Sequence, residues 1–117
     1  MATYSKQKLS HNTNGMNIKV SQTATAGNDI HTATSGTGDN WDEVWLYACN
    51  THSAAVVLTI EWGGVAADDL TEIELAADSG WVLVVPGLLL QNSKVVQAFA
   101  ATTNVVNING FVNRITA

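Results

Sequence analysis

Apolar and polar residues alternate with a period of two along much of this chain, and that pattern constrains the fold more than any other feature. It is clearest in residues 41–49, 54–62 and 70–75. In the first segment Val44 and Leu46 share one side, whereas Trp45 and Tyr47 share the other. Because successive side chains of a strand point to opposite faces, the alternation indicates β-strands.

Further runs rich in β-branched and aromatic residues cover residues 16–23, 29–34, 81–85, 94–100 and 104–115. Clusters of Gly, Asn, Asp and Ser, together with Pro86-Gly87, separate the runs and indicate turns. No segment has a capped helical period, and in residues 66–77 the alternation of apolar and acidic residues favours a strand over a helical turn. We expect an all-β fold, an antiparallel β-sandwich or jelly-roll-like barrel of about eight short strands.

The N-terminal segment differs from the rest. Residues 1–15 are polar, lack a period and contain few large apolar side chains. We therefore expect an extended N-terminal arm over residues 1–15, mobile in the free protein and ordered on a partner. The remaining residues, 16–117, are expected to form a single β-sandwich domain, which a chain of 117 residues can fill.

The chain is poor in charge and acidic overall. Charged residues make up 13% of it, against about 25% in a typical domain. Its net charge is −5, and its five basic residues are too few for the phosphate contacts of a nucleic-acid partner. No apolar run is long enough to span a membrane. The composition thus predicts neither a nucleic-acid nor a membrane partner.

The cysteine and histidines offer little chemistry. Cys49 is the one cysteine, so no intrachain disulfide forms, and its apolar neighbours predict a buried position. No histidine has metal-ligand spacing to another ligand. A dyad of Cys49 with His31 or His52 is conceivable, but no nucleophile motif surrounds it. We expect no catalytic residue, no metal and no cofactor, and hence no enzyme.

Half of the acidic residues are concentrated in one segment, as Glu61, Asp68, Asp69, Glu72 and Glu74. Such a cluster could hold calcium, although the EF-hand pattern is absent. It could also hold a glycosidase pair, although nothing singles out two members. The interpretation we prefer is a solvated strand face and turn that keeps the protein soluble.

Four tryptophans lie in or beside the predicted strands, and aromatic rings anchor both cores and interfaces. Trp45 shares its side with Glu43 and Tyr47. It either closes one end of the sandwich or belongs to a contact surface.

Four segments resemble small structural proteins encoded among the head genes of tailed bacteriophages, some of which look like capsid decoration, or cement, proteins. They are residues 2–10 (ATYSKQKLS), 42–48 (DEVWLYA), 58–64 (LTIEWGG) and 83–87 (LVVPG). The resemblance extends over most of the chain but contains no catalytic motif.

The resemblance implies a protein made in the host cytoplasm that binds the exterior of the head and bridges capsomers. Its implied partners are the major capsid protein and itself, as a homotrimer. The residues that we expect at such contacts are Tyr4, Lys6, Lys8, Leu9, Trp45 and Tyr47. One alternative is another virion component (a head-completion, tail or fibre-base protein). A second is a sugar-binding β-sandwich that uses Trp45, Trp41 or Tyr47 as a stacking platform.

Overall fold

The computed structural model describes residues 2–117, which fold into strands and one short 3-10 turn at Ala67–Asp69. In chain order the strands are β1 Thr3–Lys8, β2 Ile18–Val20, β3 Asn28–Thr32, β4 Trp41–Asn50, β5 Val56–Trp62, β6 Leu70–Leu75, β7 Val82–Leu90, β8 Val95–Ala100 and β9 Val106–Thr116. The expected strand over residues 70–75 is confirmed.

The strands form two antiparallel sheets. The first has the order β1-β9-β4-β7, with β2 also pairing to β9. The second has the order β3-β8-β5-β6. Buried apolar side chains from both sheets form one core cluster. The predicted all-β sandwich is therefore confirmed.

Alternation along the strands determines which side chains enter the core. Val44, Leu46 and Ala48 of β4 are completely buried. On the second sheet, Leu58 and Ile60 of β5 are at most 1% exposed. Full burial of such a side chain contributes about 1.5–3 kcal/mol, so the packing between the sheets is the main source of stability.

The prediction of a separate N-terminal arm is wrong. β1 pairs with β9 in an unbroken register from Thr3↔Thr116 to Lys8↔Phe111. Leu9, which follows β1, is only 1% exposed and belongs to the core. Residues 3–8 lack apolar alternation because β1 is an edge strand whose side chains are mostly exposed. Met1 lies outside the described residues.

The prediction of a turn at Pro86-Gly87 is also wrong, because both residues lie inside β7. A proline is tolerated there because β7 is an edge strand and its outer N–H groups need no partner. The register between β4 and β7 shifts twice, between Val44 and Trp45 and between Leu46 and Tyr47. β7 therefore carries extra residues that bend it without ending it.

Because Leu9 is a core residue, replacing it should destabilise the whole domain. We expect Leu9→Ala to lower the free energy of unfolding by about 2–5 kcal/mol, measured by urea denaturation. Tyr4→Ala is the matched control, since Tyr4 lies on the same segment and is 72% exposed. Equal stabilities of the two variants would contradict the assignment of Leu9 to the core.

Candidate binding face

The outer face of the five-stranded sheet carries a concentration of aromatic side chains. Cross-strand pairing sets Trp41 and Tyr4 on either side of Ile115, and Trp45 beside Phe111. Tyr47 is paired with Leu83 of β7, and Trp81 immediately precedes that strand. We call this surface the aromatic face and define it by Tyr4, Trp41, Trp45, Tyr47, Trp81 and Phe111.

Trp45 occupies the centre of the aromatic face and is fixed by several contacts. Its ring stacks on Phe111 with centroids 6.3 Å apart and planes inclined by 13°. Its indole N–H donates to Glu43 Oε1 at 2.6 Å. A Cβ on Gly87, where φ is +74°, would lie 2.7 Å from the Trp45 ring, so only glycine allows the ring to lie against β7.

Neighbouring polar groups complete this arrangement. Asn113 donates to the same Glu43 oxygen at 3.0 Å. Hydrogen bonds from Trp45 and then Asn113 lower the pKa of Glu43, so this carboxylate stays ionised. On the other side of Phe111, Lys6 Nζ lies 4.7 Å from the ring centroid, within the range of a cation–π contact. The rings of Trp45 and Phe111 are thus held in place.

Two open grooves flank this centre. The first, of about 440 Å³, is lined by Tyr47, Trp81, Asn109, Gly110 and Phe111. The second, of about 390 Å³, is lined by Ala2, Tyr4, Asp39, Trp41, Ile115 and Ala117. Exposed apolar side chains continue along β7, where Leu83 is 44% and Leu89 is 51% exposed. The face therefore combines flat rings with shallow depressions.

The structure brings five of the six sequence-predicted contact residues together. Those on the outer face of the five-stranded sheet are Tyr4, Lys6, Lys8, Trp45 and Tyr47. Leu9 is the exception, because it lies in the core and cannot contact a partner. Trp41 was predicted only as a sugar-stacking platform, and Trp81 and Phe111 were not among the predicted contact residues. The alternation of β4 and the pairing of β9 place Trp41 and Phe111 on this face.

A buried ionic cluster joins the two sheets beneath the aromatic face. Asp42 is fully buried on the inner side of β4. Arg114 of β9 donates to it through Nε and Nη2, at 2.8 and 2.9 Å. His31 of β3 contacts Asp42 Oδ2 through Nε2 at 2.7 Å. The register shift between Asp29 and His31 lets Ile30 and His31 both point inward.

The protonation of this cluster follows from its contacts. His31 Nδ1 accepts the backbone N–H of Ser10 at 3.0 Å, so the ring proton lies on Nε2 and His31 is neutral. Burial lowers the pKa of His31, and the contact with Asp42 offsets only part of that effect. Burial alone would raise the pKa of Asp42, but hydrogen bonds from Arg114 and His31 outweigh it and lower the pKa.

This cluster does not have the geometry of a catalytic dyad. Both ring nitrogens of His31 are already engaged, one by a backbone amide and one by Asp42, so neither is free to take a proton from a nucleophile. Cys49, expected to be buried, is instead partly exposed on the outer side of β4, opposite the buried Ala48 and Asn50. A Cys49–His31 pair therefore has no support.

The acidic segment is divided between two environments. Glu72 and Glu74 are exposed, as expected of a solvated face. Glu61 is completely buried, which contradicts that expectation. Its carboxylate accepts the Thr25 hydroxyl and the Gly27 backbone N–H, both at 2.6 Å. The segment that precedes β3 thus covers Glu61 on the outer side of β5.

Within residues 2–117 no group of three or more His, Cys, Asp or Glu side chains is arranged to hold a metal ion. No helix in this part of the chain is long and apolar enough to cross a membrane.

Comparisons with known proteins add no relative. No family model, no curated protein and no solved structure matches this chain.

The neutral, buried state of His31 predicts a pH-dependent stability. Because its folded pKa lies below its unfolded value of about 6.5, the unfolded chain takes up the proton first. The stability contributed by neutral His31 is therefore fully present above the unfolded pKa and is lost progressively as the pH falls below it toward the lower folded pKa. We expect urea denaturation at about pH 7.5 and pH 5 to show this loss, and His31→Gln to show a smaller one. If the free energy of unfolding changed with pH as much in the variant as in the wild type, His31 would not be the group responsible.

Proposed function

We propose that this protein is a capsid decoration protein of a tailed bacteriophage, which binds the outer surface of the head shell without catalytic turnover. The observation that carries the proposal is the aromatic face, an array of partly or fully exposed rings around the stacked pair Trp45 and Phe111. Tyr and Trp are enriched among the residues that contribute most to protein–protein binding. The resemblance of four sequence segments to phage head proteins provides the partner, the major capsid protein.

The physical character of the face suits this work. Its central rings, Trp45 and Phe111, are restrained by stacking and a hydrogen bond, so these two lose little side-chain entropy on binding. Most of its contacts would be aromatic or neutral polar, and attachment should therefore depend little on salt. A ligand that binds only the assembled shell stabilises it by mass action. Many copies on a repeating lattice strengthen that effect.

Another virion position is the first alternative. A head-completion, tail or fibre-base protein would use the same surface but would be present in a few copies per particle. Counting copies in purified virions by quantitative mass spectrometry distinguishes the two, because a decoration protein is present in hundreds of copies.

A sugar-binding role is a second candidate, favoured by the groove between Tyr47 and Trp81. Its lining contains three aromatic residues and no charged one. Aromatic rings offer flat apolar surfaces, and the Trp81 N–H and Tyr47 O–H can donate hydrogen bonds. A glycan array tests this candidate, and specific binding abolished by Trp81→Ala would favour it over capsid decoration.

The decoration proposal is tested by adding purified protein to heads that lack it. We expect saturation at a fixed stoichiometry and greater resistance of the heads to heat. Tyr47→Ala and Trp81→Ala should each weaken attachment by about 10- to 100-fold, measured by co-sedimentation with heads. Val65→Ala is the control, since Val65 is 52% exposed and lies in the loop between β5, a strand of the four-stranded sheet, and the 3-10 turn. Unchanged head stability at saturation would refute the proposal.

A further inference from the structure

Five strands pair on one side only, namely β1, β2, β3, β6 and β7, and they differ in how well they can accept another strand. β2 offers little, because it is only three residues long. β7 contains Pro86 and pairs to β4 with two register shifts, and β3 has a shift at Asp29/His31. Prolines and bulges of this kind hinder strand addition at an edge. β1 and β6 have unbroken registers with β9 and β5 and pair on one side only. These two strands therefore leave regular rows of backbone groups unpaired.

The two regular edges carry opposite charges with the same spacing. Lys6 and Lys8 alternate along β1, and Glu72 and Glu74 alternate along β6. All four are exposed, and each pair lies on the outer side of its own sheet. None of the four forms an ion pair within residues 2–117. The β1 edge is thus complementary in charge to the β6 edge, whereas two β1 edges, or two β6 edges, would repel each other.

An antiparallel pairing of β1 with β6 uses this complementarity fully. One register sets Lys6 opposite Glu74 and, two residues on, Lys8 opposite Glu72. Directly opposed charges of unlike sign stabilise a strand pair, and like charges destabilise it. Pairing β1 with β1, or β6 with β6, would bring like charges together. The charges therefore select the mixed pair and oppose the two self-pairs.

We propose that copies of this protein associate head to tail, with β1 of one copy adding to the β6 edge of the next. Backbone hydrogen bonds would supply the affinity, and the lysines and glutamates would set the register. Such an interface uses different surfaces on its two sides, so a chain of copies closes into a ring when the rotation permits. A trimer, the number that the resemblance implies, is one such ring. The proposal does not depend on a capsid role.

The test is sedimentation velocity of the purified full chain at micromolar concentration. We expect oligomers for the wild type. Lys6→Glu with Lys8→Glu, or Glu72→Lys with Glu74→Lys, should weaken association about tenfold or more. The control is Lys94→Glu, which makes the net charge more negative, as the first variant does, at an exposed position outside all the strands. Thermal melting checks that every variant is folded.

Reversing the charges on both edges at once is the most decisive experiment, because it tests complementarity between the edges. The variant with all four substitutions restores complementarity and should associate like the wild type. Mixing the two double variants should also give oligomers, because each acidic edge then meets a basic one. A monomeric wild type would overturn the proposal. So would a folded four-substitution variant that stays monomeric, or a control that dissociates as readily as the edge variants.

Discussion

The ion pair of Asp42 with Arg114, completed by His31, is the interaction on which the arrangement of the two sheets depends. Hydrophobic packing is non-directional, and it would tolerate some sliding of one sheet over the other. A fully buried carboxylate does not tolerate this, because each donor that it loses leaves charge uncompensated in a dry interior. Arg114 belongs to the five-stranded sheet and His31 to the four-stranded sheet, so the contacts of Asp42 fix one sheet against the other.

The same strand that holds this cluster also positions the aromatic face. Asp42 points inward, and by the alternation of β4 its neighbours Trp41 and Glu43 point outward. Glu43 then holds the Trp45 indole, and Trp45 stacks on Phe111 of β9. Because β4 pairs with β9 along its whole length, the inner cluster and the outer platform rest on the same two strands. Damage to the cluster would therefore alter the geometry of the face.

Sequence reasoning succeeded where a strand has one buried and one exposed side, as β4 does. It failed where that condition is absent. β1 has no buried side because it is a polar edge strand, and β7 continues through Pro86 because its free edge needs no N–H donor. Asp42 could have been found, since it shares the period-two set of Val44 and Leu46. The burial of Glu61 could not have been predicted, because the segment that covers it is distant in sequence.

The two proposed contacts use different parts of the molecule and can therefore operate together. Strand addition at β1 and β6 uses the unpaired backbone groups along the sheet edges, which point outward in the plane of each sheet. Attachment through the aromatic face instead uses side chains that project from the outer face of the five-stranded sheet. The two contacts meet at β1, where Tyr4 belongs to the aromatic face and Lys6 both lies over Phe111 and belongs to the β1 edge. Pairing of Lys6 with a glutamate of the next copy would draw its ammonium from the ring, so assembly would expose Phe111 further.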